Sequence, residues 1–480
     1  MINSNRSKTS IVFLAGILSS LLLVVPLQAQ DLVRVYPAPA GEPLSNLFKV
    51  AVEGQPSSVY LAHVVSMTGA NLKEYLTGKA SFTSFDISGP VKVTVTYAQP
   101  IQEVKLLPSR WGIATTVSGN QVTFVIPRPG QFTVEINGDW ENSLHLFANP
   151  FEKDIPNPND PNVIYFGPGI HQVKQVKVNS DQTVYIAGGA VVYGQFVPGE
   201  TKNGDAIFKC NGSHFTIRGR GIIDGSAIPK EYDGEKVGGH LIYARGSHIR
   251  VEGVILRDSG SWTLYIDQAH DVEIKNIKVL GWRENSDGTD INNSQDVVVS
   301  DSFYRTNDDL VVIKSQHIDA PETSNVTVKG CVLWNVRAHA LTLGTELRAN
   351  INGVDFSDSD IIHDKGHDQL LAINDYYEAD VQNITFENIR IQESMWLIYL
   401  KTGPKKKGKH GMKGHIESVT FRNIVAATPS RPGPNISLKG YSPSNEIDGV
   451  TFDHVTIGGA PLQSSDIESN QYVGNVAVTP

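Results

Sequence analysis

From about residue 165 to the end, one short phrase recurs: a polar residue, apolar-x-apolar, one or two polar residues, then another apolar position. His248-Ile249-Arg250-Val251-Glu252-Gly253-Val254, Asp271-Val272-Glu273-Ile274-Lys275-Asn276-Ile277 and Asn383-Ile384-Thr385-Phe386-Glu387-Asn388-Ile389 are examples. An apolar-x-apolar phrase sends alternate side chains to opposite faces, which is the period of a strand. The first apolar positions fall at 217, 249, 272, 297, 326, 354, 384, 419 and 450, in steps of 32, 23, 25, 29, 28, 30, 35 and 31 residues. Steps of that size, each holding short strands, predict the coils of a right-handed parallel β-helix. The Asn at many turns can adopt a left-handed conformation and stack on the Asn of the next coil. Uneven steps map to loops, and long loops on one face wall a cleft.

Residues 31 to 160 carry a different pattern. Runs such as Val91-Lys92-Val93-Thr94-Val95-Thr96-Tyr97 and Gln121-Val122-Thr123-Phe124-Val125-Ile126 alternate strictly between Pro, Gly and Asn punctuation. They predict a β-sandwich. Four prolines between Asn149 and Pro161 mark a junction. The expected organisation is therefore all-β: a sandwich over 31–160, then a β-helix over 161–480. No long amphipathic helix is evident.

Residues 1–30 read as an export signal. Arg6 and Lys8 precede a mostly apolar stretch from Ile11 to Pro26, and Leu27-Gln28-Ala29 ends it in the manner of a cleavage site. A secreted or periplasmic protein is expected, with no membrane association after removal of the signal. The net charge of −9 argues against general nucleic-acid binding. With only Cys210 and Cys331, a disulfide framework is excluded, and two buried thiols are favoured over one long bridge. Nothing in the sequence points to an oligomer or a cofactor.

The candidate chemistry lies in three acids. Asp287 and the pair Asp308-Asp309 are 21 residues apart, near one coil, so the carboxylates should stand on neighbouring rungs. Like charges so placed repel. Two or three carboxylates around a cleft are what acid/base glycoside hydrolysis requires. His363-Asp364-Lys365-Gly366-His367-Asp368 offers metal-ligating types, but no further spaced ligands frame it, and no metal is expected. Gly219-Arg220-Gly221 is not a nucleotide loop, because no helix follows it.

These motifs, in order, resemble glycoside hydrolase family 28, the polygalacturonases, with the clan-related family 49 dextranases next. The resemblance rests on Gly219–Gly225, Ser259-Gly260-Ser261-Trp262-Thr263, Asn285-Ser286-Asp287-Gly288-Thr289-Asp290, Asn307–Lys314, Ala338-His339-Ala340 and Tyr399-Leu400-Lys401-Thr402. It implies that Asp308 is the general acid and that Asp287 and Asp309 activate water. Inversion would follow, with carboxyl groups on the order of 6.5–9.5 Å apart. It further implies that His339 tunes the acid or contacts sugar and that Lys401 binds substrate. Tyr399 stands where the family has arginine, and tyrosine cannot grip a carboxylate bidentately. It either stacks on a sugar ring or packs on the solenoid. Asn285, Trp262 and Glu346 are further substrate-binding candidates, Glu346 in a loop with Arg348. The basic run Lys401–Lys413 either grips an anionic polysaccharide or is a solvated charge run. The expected partner is thus a polysaccharide, pectin-related before neutral glucan. A non-catalytic binding solenoid and a lyase or epimerase are the competing classes.

Overall fold

The computed structural model describes Met1 and residues 31–66, 76–195, 206–229, 231–232, 235–236, 239–366, 368–404 and 414–480. The expected signal and the basic residues Lys405 to Lys413 lie outside them, as does His367. Among the described residues the only helical pieces are two short 3-10 turns, and none is long and apolar enough to cross a membrane.

Two antiparallel-rich sheets form the N-terminal part. Val33–Val35, Leu76–Ile87, Asp139–Pro150, Gly130–Ile136 and Val104–Leu107 make one, with Tyr60–Ser66 beside Leu76–Ile87; Gln55–Ser57, Phe48–Val52, Val91–Tyr97, Gln121–Ile126 and Thr116–Ser118 make the other. Their inward positions, Val50, Val93, Val95, Val122 and Phe124 from one and Phe85, Phe132, Val134 and Leu146 from the other, share a core. This is the sandwich that the alternation predicted.

Beyond Pro150 the strands turn parallel, starting at Val163–Phe166. A right-handed parallel β-helix follows, in which a 21-strand sheet wraps around the coil and a 12-strand sheet closes it. The sequence repeat appears directly in the register: Ile249 pairs with Val272, then Val297, Val326, Val354, Ile384, Val419 and Val450 in turn. One position departs. Ile217 pairs with Val251, not Ile249, so the first step of the repeat is offset by two residues. An offset of two keeps the same face inward, and the pattern could not reveal it.

Stacked ladders hold the coils. Phe356, Phe386, Phe421 and Phe452 lie face over face at 4.8–5.1 Å between centroids. Left-handed asparagines form the expected turn ladders: Asn383 donates to Asn352 at 2.8 Å and Asn423 to Asn388 at 3.1 Å. Both cysteines are buried and free.

The sandwich lies along the flank of the helix and does not cover the end of the stack. Tyr60, Phe82, Leu107 and Phe147 pack on the outward side of the 12-strand sheet, against Ile222, Ile255, Phe303, Trp334 and Ile362. Polar groups cross the same seam. Arg305, fully buried, donates to Ser143 at 3.1 Å, to the carbonyl of Glu141 at 3.0 Å and to His145 at 3.2 Å, and it stacks on Trp334. His145 can accept because burial first, and then Arg305, push its pKa down. Arg220 pairs with Asp86 at 2.8 Å. His363 is buried here too, between Glu135 of the sandwich and Glu393. Residues 32–480 thereby form a single compact unit.

Candidate active site

The catalytic candidates sit where strands of the 12-strand sheet turn into the wrapped sheet. Phe303–Thr306 ends just before Asp308, and Val311–Ser315 begins just after Asp309. Rung stacking places the groups together. Thr263 N donates to the Asp287 carbonyl, Gly288 N to that of Asp309 and Leu310 N to that of His339. Gly288 is needed at this crossing: a Cβ there would stand 2.3 Å from the Leu310 carbonyl oxygen and 2.6 Å from the Tyr304 ring.

Asp287, Asp308 and Asp309 each bring one oxygen within 4.8 Å of the others. Asp308 and Asp309 are chain neighbours, and Asp287 stands on the rung before them.

His339 Nδ1 lies 2.7 Å from Asp309 Oδ1, and its backbone N–H donates to the same oxygen at 3.1 Å. Burial alone would raise the Asp309 pKa, but His339 outweighs it and holds the carboxyl below its usual range. The converse holds for the ring: burial would lower the His339 pKa, yet the Asp309 carboxylate raises it. His339 therefore serves Asp309, not Asp308. Asp308 is pushed up to about 6, by burial first and then by Asp309. Asp287 is raised well above the carboxylate range, by burial, then Asp290 and Asp308, and its Oδ1 has no hydrogen-bond partner.

Two buried residues complete the cluster. Lys314 Nζ lies 2.9 Å from Glu346, 3.7 Å from Asp290 and 3.8 Å from Asp287, over the Trp262 ring at 4.4 Å. Asp290, 0% exposed, has neither carboxyl oxygen hydrogen-bonded and is held towards its neutral form by burial, against the pull of Lys314. Both residues lie inside the sequence motifs, Asp290 closing Asn285–Asp290 and Lys314 closing Asn307–Lys314, and the resemblance implies no role for either. The signal was present: Lys314 closes the apolar run Leu310-Val311-Val312-Ile313, where a cation is kept only with acidic company. Five carboxylates, Glu346 included, thus face two cations, Lys314 and His339. They cannot all ionise, so protons remain in the cluster near neutrality.

Trp262 and Glu346 join this group through Lys314. Glu346 meets that lysine and not Arg348, which stacks on Tyr377 at 4.8 Å. Lys401 and Tyr399 stand two rungs on. Asn374, on the rung between, pairs with Lys401 in register and reaches His339 Nε2 at 3.4 Å. Lys401 lies over the Tyr376 ring at 5.0 Å, its pKa lowered by partial burial and then by Lys439 on the next rung. Tyr399 is half-buried in the same strand. Asn374 and Tyr376 had not been singled out. Asn285 stands exposed in a left-handed turn (φ 58°) beside the acids.

A solenoid carrying paired acids over a row of polar and aromatic side chains defines a carbohydrate-active hydrolase. The model of glycosyl hydrolases family 28 matches residues 170–477, and the chain belongs to that family, whose members hydrolyse O-glycosyl bonds. Exopolygalacturonase B of Aspergillus niger is 21% identical over 301 residues, 57% of this chain and 67% of that protein. Isopullulanase of Aspergillus niger is 24% identical over 498 aligned positions, 88% of this chain and 81% of its own length. The sandwich-then-helix fold is shared with Dex49A from Penicillium minioluteum, at 15% identity and a TM-score of 0.56 over 92% of this chain and 96% of that one.

Proposed function

We propose that the protein is an exported, inverting glycosidase that cleaves α-linked polysaccharide of the pectin type. The carrying observation is the division of labour among three carboxylates within 4.8 Å: Asp308 titrates near 6, while Asp309 is held ionised by His339. Asp308 is the group able to hold a proton at mildly acidic pH and give it to the leaving oxygen. Asp309, whose Oδ1 takes both His339 bonds, keeps Oδ2 to draw a proton from water, and Asp287, on the adjoining rung and held towards its neutral form, helps to hold that water by a hydrogen bond. Carboxyls this close suit retention on general spacing grounds. Against a covalent intermediate stand the two hydrogen bonds that tie up Asp309 and the preference of Asp287 for its neutral form, which leave water the better nucleophile. The anomeric configuration of the first product, followed by proton NMR, tests this; a retained anomer would overturn it.

Lys401, Asn374 and Tyr376 would form a sugar subsite two to three rungs from Asp308 and Asp309, and Trp262 another wall. Substrate choice is tested by reducing-sugar release from polygalacturonate, rhamnogalacturonan, dextran and a sulfated galactan by residues 31–480. Asp308→Asn should lower the rate on the cleaved polymer by about 10²–10⁴-fold. A variant as active as the parent would refute the assignment of the acid. Cleavage of a neutral glucan is the second reading. It is favoured by Tyr399 at the arginine position and by the near full-length likeness to isopullulanase; release from dextran alone would establish it.

A further inference from the structure

On the side of the helix away from the acids, a cleft of about 610 Å³ opens between the sandwich and the solenoid. The sandwich lends Arg110, Trp111 and Arg128; the crossing from the 21-strand to the 12-strand sheet lends Lys275 and Lys329, which end strands of the first, and Arg390, which begins a strand of the second. This crossing lies at the start of the strands whose far ends carry the acids: Asp301 precedes Phe303–Thr306, and Asp308 follows it. Four residues of strand separate the two places by about 13 Å or more.

The lining holds five cations against two carboxylates, Asp301 and Asp358, in a protein of net charge −9. Arg110 and Arg390 both bind Asp360, at 2.6 Å each. Arg128, Lys275 and Lys329 have no carboxylate partner among the described residues. Trp111 lies between the guanidinium groups of Arg110 and Arg128, at 4.9 and 4.6 Å from its ring centre. Gln131, 5% exposed at the floor, donates to Asn276 at 2.9 Å, and its Oε1 has no partner. A buried acceptor left open is costly unless a ligand or water donates to it. Cations without carboxylate partners are what the carboxylates of an acidic sugar bind. The volume is that of an ordinary small-ligand site.

We infer that this cleft is a second, non-catalytic site for an acidic oligosaccharide, so that one polymer chain can be held on the flank while another segment meets the acids. The inference rests on the acidic-polysaccharide reading above for its choice of ligand. Its chemistry is independent of the active site: Lys275 and Lys329 take the carboxylates, beside the wall that Arg128 and Trp111 form.

The test is calorimetric titration of trigalacturonate into the full chain carrying Asp308→Asn, with and without Lys275→Ala and Lys329→Ala. Lys329 is exposed and Lys275 only half-buried, so the pair can be removed without touching a core, and a melting curve checks folding. Two bound equivalents are expected, one of which weakens by about tenfold or disappears in the double variant. That equivalent should also weaken as ionic strength rises from ~0.01 to ~0.1 M, over which the screening length falls from about 30 to about 10 Å. Binding that the double variant leaves intact, or equal binding of maltotriose at the affected site, overturns the inference. If the parent does not cleave galacturonate but the double variant still loses an equivalent, the substrate reading fails and the cleft stands. If the parent cleaves it and the titration is indifferent to the double variant, the cleft alone fails.

Discussion

Asp308 couples activity to pH and stability to pH through one proton. Its acid form is lost as pH rises through about 6, so kcat/KM should fall about tenfold per pH unit above that value. The same group has a folded pKa above its unfolded one. Its contribution to stability is therefore fully present below the ordinary carboxyl pKa and is lost as pH rises through about 6. The rise to about 6 corresponds to on the order of 3 kcal/mol. Replacing Asp308 with Asn should flatten the dependence of melting temperature on pH between about 4 and 6, and an unchanged slope would contradict the raised pKa. His339→Ala should move the acidic limb of the rate profile upward, because Asp309 loses the cation that keeps it ionised. A limb that stays in place would mean that His339 only packs.

At the scale of the element, the rung is the unit, and its interior is a column of stacked side chains. Phe386 is fully buried between Phe356 and Phe421. Phe386→Ala should cost about 3–5 kcal/mol, since the rungs on either side cannot close the gap without breaking register; a loss below about 1 kcal/mol in denaturant unfolding would show that they can. Much of this was legible in the sequence, because the period-two phrase and the coil step both depend on local burial. The pairing of Val272 with Val297 and Val326 is written in the spacing. The offset at Ile217 was hidden, since a shift of two leaves the apolar pattern unchanged. The acid triad was legible as spacing plus charge. Lys314 and Asp290 were not given roles because their meaning comes from groups on adjoining rungs.

At the scale of the molecule, sandwich and solenoid are joined by a large apolar seam. Phe303, Trp334 and Ile362 point outward from the helix and are covered only by the sandwich. Residues 161–480 expressed alone should therefore expose a large apolar face, aggregate and bind a hydrophobic dye; a soluble, monomeric, dye-silent fragment would show that the two parts are independent. The apolar pattern does not announce this seam, because the outward residues of the 12-strand sheet lie in short runs such as Val332-Leu333-Trp334 where inside and outside are both apolar.

The apolar seam ends at Ile362 and the last polar contact across it joins Ser109 N to Gln392, yet the coils run on to Thr479. The last rungs are held by their neighbours and little else. Outward positions there are small, polar or bare, as at Val425, 55% exposed. Such an array melts from its unsupported end. Amide protons in Ile447–Asp453 should exchange with deuterium well before those in Gln295–Ser300, and the fraying front should halt where the sandwich begins. The acids would then outlast the coils beyond them, and unfolding would begin in the coils that the sandwich does not brace while the chemistry was still intact.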